Sequence, residues 1–416
     1  MSGTRAPARP ASDRLDERLQ DRSGVRGLLA GILDRVRSGD LGVLPVVLGL
    51  AVIWTVMQSL NPIFLSRQNL VNLAMECVPV GVIALGIVCV LLVGEIDLSV
   101  GSVSGLSSAV VAVLFVTQGL PVVVAVLAAV AVGTVIGFLY AQIYARFGIP
   151  SFVITLAGLL SFLGIQLYVL GAQGSINLPF DSPLVAFAQR AFVPAWLSYL
   201  LAVLAGTALL LTGLRHSRER TRAGLSGEPV GLVVARAAVL AGALLFGAWY
   251  LNGARGVGWM VVFFVALVLA LNYALTRTQW GTWMFAVGGN EEAARRSGID
   301  VRAVYTSAFV LCSSLAALGG VLAASRLAAA NQASGGGDVN LNAIAAAVIG
   351  GTSLFGGRGS AFAALLGIVV IQSISSGLTL LNLDSSFRFA VTGVVLLLAV
   401  GVDSVARRSR SSHGRA

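Results

Sequence analysis

The sequence predicts an all-α polytopic membrane protein with 10–12 transmembrane helices. Three observations carry that prediction. Only 11% of the 416 residues are charged and 57% are hydrophobic, whereas a soluble domain carries about 25% charged residues. There is too little polar surface here to cover a water-soluble core. Apolar runs then follow one another from Val43 to Val402, and at 1.5 Å per residue most can cross a hydrocarbon layer of about 30 Å. Arg, finally, is gathered in short clusters between the runs, the pattern of cytoplasmic loops.

The runs occupy 43–60, 78–93, 99–116, 122–145, 152–171, 194–214, 233–251, 257–275, 303–325, 341–354, 361–381 and 387–402. Those at 78–93 and 341–354 are short and end in glycine-rich turns. They predict broken or re-entrant segments, near 94–101 and 341–360. Residues 1–42 are polar, with eight Arg against six acids. They lack the apolar core of a signal peptide and are expected to form a cytoplasmic tail, with one amphipathic helix at 27–36. The transmembrane body is expected over 43–403, with its longest charged loop, cytosolic, at 276–302, and a basic cytoplasmic tail over 404–416.

Charge parity bears on the span count. Basic clusters lie in the N-terminal tail, at Arg215–Arg222, at Arg277–Arg302 and at Arg407–Arg410, while the segments 61–75, 172–193 and 252–256, read as outer loops, hold one Arg each. If every run crosses, each interval between clusters contains an even number of crossings and both termini are inside. If both short runs are re-entrant, the Arg215 and Arg277 clusters fall outside. Parity favours 12; the short runs keep 10 open.

Composition also removes chemistry. All 28 basic residues are Arg, so neither a P-loop lysine nor a lysine Schiff base exists. Cys77, Cys89 and Cys312 are scattered through apolar sequence and read as small buried hydrophobes. His216 and His413 cannot supply the i, i+4 pair of a helical metal site. No cofactor or metal is expected. The net charge of +10 would favour nucleic acid in a soluble protein, but no aromatics interleave with the Arg residues as a nucleic-acid groove requires. No nucleophile set or acid/base pair is visible, so the chain is not expected to be an enzyme.

Two motifs stand out. Glu95-Ile96-Asp97 ends an apolar run, flanked by Gly94 and Gly101. Carboxylates at membrane depth must face protein or water. Glu95, Asp97 and Ser99 therefore read either as a polar kink in a permeation path or as the N-cap of a helix starting near Val100. Gly94–Gly101 shares the spacing G-x-x-x-L-x-x-G with Gly350–Gly357. A duplicated half would explain this, and so would chance among 49 glycines.

The second motif runs from Gly289 to Gly298. Asn290 is a good N-cap. Glu291 and Glu292 precede Ala293 and Ala294, and Arg295 and Arg296 follow, which suits the helix dipole and i, i+4 pairing. Gly298 stops the helix. The spacing predicts a two-turn helix between spans, either a solvated connector or a docking helix.

The strings GEIDLSVGS at 94–102 and AVGGNEEAARRSGIDV at 286–301 resemble the permease subunits of bacterial ABC sugar importers in the ribose/xylose/arabinose branch. So do NLVNL at 69–73, AAAVIGGTSLFGGRGS at 345–360 and FAVTGVVLLLAV at 389–400. The resemblance spans roughly 61–402, and the extra Arg-rich loop and apolar pair near 215–255 are similar to the longer xylose permeases. It implies a multi-pass subunit of the cell membrane, in contact with lipid, that pairs with a second permease copy. Cytosolic ABC ATPase subunits would dock on the helix at 289–298, and an extracytoplasmic sugar-binding protein would deliver a monosaccharide, xylose or another pentose, for import by alternating access. The rival class is an ion-gradient-driven secondary transporter, for which Glu95 and Asp97 are the available acids.

Lone amides within or beside the runs, Gln142, Gln166, Asn272, Gln372, Asn331 and Asn340, suit either a sugar path or interhelical hydrogen bonds. Gln166 and Asn331 are the path candidates to set beside Glu95, Asp97 and Ser99. The glycine-rich stretch 334–359 reads as close helix packing rather than as a flexible gate. Trp280 and Trp283 suit the membrane interface.

Overall fold

The computed structural model describes residues 44–223 and 229–384, with scattered positions between 386 and 401. The tails at 1–42 and 404–416, and the helix expected at 27–36, lie outside the described residues. Within those residues the chain is helical apart from one two-stranded sheet.

Among the described residues nine helices are long and apolar enough to cross a membrane. After the shorter α1 (Leu44–Leu60) come α2 (Arg67–Leu92), α3 (Val100–Ala112, continued by a π-turn to Thr117), α4 (Val122–Phe147) and α5 (Ser151–Leu170). Strand β1 (Ser175–Asn177) follows, then α6 (Ala195–Arg222), α7 (Val230–Asn252) and α8 (Trp259–Arg277). Two short helices, α9 (Gln279–Gly289) and α10 (Glu291–Arg296), lead into α11 (Val301–Leu327) and strand β2 (Ala329–Asn331). The half-length α12 (Gly337–Ile349) and then α13 (Ala361–Leu380) complete the order. The run predicted at 387–402 is described only at scattered positions.

The interruptions fall where predicted: the helix is broken between Leu92 and Val100, and α12 stops short before the turns at 350–360. One expectation is corrected. The run at 78–93 belongs to a full-length helix of 26 residues that begins at Arg67, with the Ser66 hydroxyl accepting from Asn69 N–H at 3.3 Å. Residues 67–75, read from sequence as loop, are its first turns. Hydropathy marks only positions with apolar surroundings, whereas Gln68, Asn69, Asn72 and Glu76 are polar yet tolerated in a helix.

The chain forms two compact units. The described part of the first is the α6–α7 hairpin. There the bare Cα of Gly206 meets Ala241, Gly213 meets Val233, and Asn252 Nδ2 donates to Ser198 Oγ at 2.9 Å.

In the second unit, α2 is the central post. It is buried over 89% of its most apolar window and α11 over 67%, against 28% for α4, α5 and α8. The outer helices thus keep apolar faces such as Val123, Leu127 and Leu160 on the surface, as lipid-facing helices must. Lipid supplies no hydrophobic drive between helices, so association rests on close backbone approach. Gly133 of α4 lies against the Ser313 carbonyl, and Gly320 of α11 against that of Ser104. Antiparallel β1–β2, in the register Ser175 to Asn331, ties the end of α5 to the end of α11.

Candidate functional site

The break after α2 is built from its backbone outward. Gly94 takes φ +85°, and the N–H groups of Gly94 and Glu95 turn back to the carbonyls of Leu91 (2.9 Å) and Val90 (3.1 Å). The chain then runs extended, and α5 hydroxyls take its free donors. Ile96 N–H donates to Ser151 Oγ (3.4 Å) and Leu98 N–H to Thr155 Oγ1 (3.2 Å).

Asp97 is fully buried. Its Oδ1 accepts from both the backbone N–H and the hydroxyl of Ser99, each at 2.7 Å, and Tyr140 Oη donates to Ser99 Oγ at 2.8 Å. Ser99 stands at the N-cap of α3 but makes no side-chain capping bond; Asp97 holds that turn instead. The Asp97 carboxyl also faces the buried Cys312 thiol of α11.

The second motif folds as its spacing predicts. Asn290 Oδ1 accepts from Ala293 N–H at 2.9 Å, Glu291 pairs with Arg295, and Glu292 pairs with Arg296 at 3.0 Å. Gly298 takes φ +83°. Both ion pairs are exposed, and exposed i, i+4 pairs contribute only about 0.3–0.5 kcal/mol each. What holds α10 in place is the burial of Ala294 and a bond from Tyr305 Oη to Glu291 Oε2 at 3.2 Å. Glu292, Ala293, Arg295 and Arg296 remain on the surface.

The two motifs meet. Tyr144 Oη, on α4, donates to Glu95 Oε1 at 2.7 Å. The Tyr144 and Tyr305 rings pack with centroids 4.9 Å apart. A carboxylate–tyrosine–tyrosine–carboxylate chain thus joins the broken segment to α10.

The glycine turn at 350–357 joins them too: Gly357 N–H donates to the Leu92 carbonyl at 2.9 Å. A Cβ at Gly288 would strike that same carbonyl and the Gly357 nitrogen, and one at Gly356 would strike the Gly288 carbonyl. The two strings of shared glycine spacing therefore touch, Gly94 against Phe355 and Gly356. Arg358 is exposed beside them.

Gln166 and Asn331 are brought to each other and not to Glu95. Gln166 is fully buried in α5, and its Nε2 donates to the carbonyls of Asn331 (3.1 Å) and Ser334 (2.9 Å). Asn331 Oδ1 accepts from Ala333 N–H at 2.9 Å. Asn340 Oδ1 accepts from Gly101 N–H. These amides knit α3, α5 and the loop after β2, which is the interhelical role open to them from sequence. Trp280 Nε1 donates to Ser307 Oγ at 2.8 Å, fastening α9 to α11.

Sequence reasoning missed Glu76. It lies in α2, is exposed, and accepts from Gln372 Nε2 of α13 at 2.9 Å. The signal was the recurrence of Gln68, Asn72 and Glu76 at four-residue intervals.

A helical multi-pass body with interrupted membrane helices and a short capped helix between spans defines a polytopic α-helical membrane protein. The model of the family described as branched-chain amino acid transport system / permease component matches residues 69–400, and the chain belongs to that family. It is 34% identical over 345 residues to the xylose transport system permease protein XylH of Escherichia coli (strain K12), covering 83% of this chain and 87% of that one. XylH of Haemophilus influenzae is 31% identical over 371 residues, covering 89% and 98%. The ribose import permease protein RbsC of Escherichia coli (strain K12) is 30% identical over 358 residues, covering 86% and 92%. No solved structure matches the chain. The resemblance to sugar permeases of the ribose/xylose branch is thereby upheld.

Proposed function

We propose that this chain is the membrane subunit of an ATP-driven importer that moves a monosaccharide, xylose or another pentose, into the cytoplasm. It works as two copies, with cytosolic ATPases on one side and an extracytoplasmic sugar-binding protein on the other, and both termini lie in the cytoplasm. The observation that carries this is the near full-length similarity to XylH and RbsC. The absence of lysine fits a subunit that leaves nucleotide chemistry to a partner.

In this mechanism α10, from Asn290 to Arg296 between Gly289 and Gly298, is the element the ATPase grips. Its exposed face suits docking, and its buried face, through Ala294 and Tyr305, transmits displacement. Glu95, Asp97 and Ser99 form the gate. Gln166 and Asn331 hold the backbone on the other side of α3 against which the gate works. ATP binding closes the ATPases, α10 moves, and the two copies reorient around the sugar.

The test is uptake by proteoliposomes holding the chain, its ATPase and its binding protein. Uptake that needs ATP and all three parts, strongest for a pentose across a panel of sugars, is expected. Accumulation by the chain alone under an ion gradient would support the rival class instead.

A further inference from the structure

Every residue of α2 from Ala74 onward is buried or half-buried except Glu76. The edge of this otherwise enclosed helix that carries Gln68, Asn72 and Glu76, one per turn, is polar; Gln68 and Glu76 are exposed and Asn72 is half-buried. It runs beside the edge of α13 that carries Gln372, Ser375 and Thr379, and Gln372 Nε2 joins the two at Glu76 Oε2, 2.9 Å away.

Glu76 lies nine residues into α2, which places it about 14 Å from the start of the helix. That is well inside the hydrocarbon layer, where an acid facing lipid is strongly disfavoured and ionisable residues mark a water-filled path or a protein contact. Among the described residues Glu76 stays exposed, with Gln372 of α13 at its edge.

We infer that Glu76 and Gln372 are a sugar-hydroxyl-binding pair lining the translocation path, closed over by the second copy. This rests on the importer function proposed above and adds to it the contact residues. The chemistry fits the ligand: a carboxylate accepts hydrogen bonds from hydroxyls, and an amide both donates and accepts. Such a pair matches adjacent hydroxyls without a charge on the substrate. It is also distinct from the gate, whose Asp97 and Ser99 are fully buried.

The experiment uses the full complex in proteoliposomes. Glu76→Cys and Leu160→Cys are compared for reaction with a charged methanethiosulfonate; the chain's own three cysteines are buried. Leu160, on the apolar surface of α5 and nine residues into that helix, is the lipid-facing control. Reaction at position 76, slowed by xylose with binding protein, and none at 160, is expected. Glu76→Gln should cut sugar moved per ATP hydrolysed about tenfold, the effect of one lost charged hydrogen bond, while the ATPase stays bound.

If position 76 is unreactive in the assembled complex, the edge is a dry contact and the inference fails. It also fails if reaction is unaffected by sugar and Glu76→Gln transports normally. Should Glu76→Cys not assemble, Gln372→Cys takes its place. A wild-type complex that moves no sugar would instead overturn the importer function, and labelling at 76 against 160 would still report the aqueous face.

Discussion

Tyr144 and Tyr305 pack ring to ring, 4.9 Å between centroids, and each gives its hydroxyl to an acid of a different motif, Glu95 at 2.7 Å and Glu291 at 3.2 Å. Two helices far apart in the chain thereby connect the break after α2 with the short helix between spans. A displacement of α10 cannot leave Glu95 where it was without parting this chain of contacts.

Replacing either tyrosine by Phe keeps the ring and removes one hydroxyl. The expected stability loss is small, about 1 kcal/mol. Transport should fall while basal ATP hydrolysis persists, and the double replacement should cost no more than the worse single one, because either breaks the same connection. Uptake and ATPase rates measured side by side decide this; strictly additive losses would count against a shared path.

Glu292→Arg tests docking cleanly. Glu292 is exposed and paired only with Arg296 across one turn, so the fold has little stake in it. Reversal should weaken capture of the ATPase in pull-downs while membrane insertion stays normal. Glu291→Arg should do the same and also lose the Tyr305 bond. Capture of the ATPase at wild-type yield by both variants would remove α10 from the docking role.

Neighbouring glycines should differ sharply. Gly288→Ala puts a methyl into the Leu92 carbonyl and the Gly357 nitrogen, whereas nothing lies within 4 Å of a Cβ at Gly289. The first should cost at least about 1–3 kcal/mol, as overpacking does. The second should be neutral or slightly stabilising. Yield and thermal stability in detergent separate them, and equal behaviour of the two would show that the glycine knot yields easily.

Asp97→Asn keeps an Oδ1 acceptor for both Ser99 donors, so the turn into α3 should survive. Asp97→Ala removes it and should cost about 1–2 kcal/mol, like the loss of a helix cap. Neither should move the pH profile of uptake in an ATP-driven importer. A profile displaced by Asp97→Asn at normal protein yield would point to the gradient-driven class.

Composition and local spacing sufficed for the membrane class, most helices, the interruptions near 94–101 and 341–360, and the whole of α10 with its caps and pairs. These are properties of neighbours in the chain: a run of apolar residues, a carboxylate four positions before an Arg, a glycine after the last turn. The first turns of α2 escaped because a polar edge on a buried helix looks, in a hydropathy sum, like a loop.

What joins Glu95 to Glu291, or Glu76 to Gln372, was decided only by tertiary packing. Neither Tyr144 nor Tyr305 has a local signature, since each matters through a partner on another helix. Gln166 illustrates the same limit: as a lone amide in an apolar run it could serve an interhelical bond or a sugar path, and α5 set against the loop after β2 gave its donors to two carbonyls. Sequence by itself determined most of the helical segments and where the chain breaks near 94–101 and 341–360. The fold alone determined which polar groups find one another, because in a membrane that choice depends on which helix faces can approach closely enough to share a hydrogen bond.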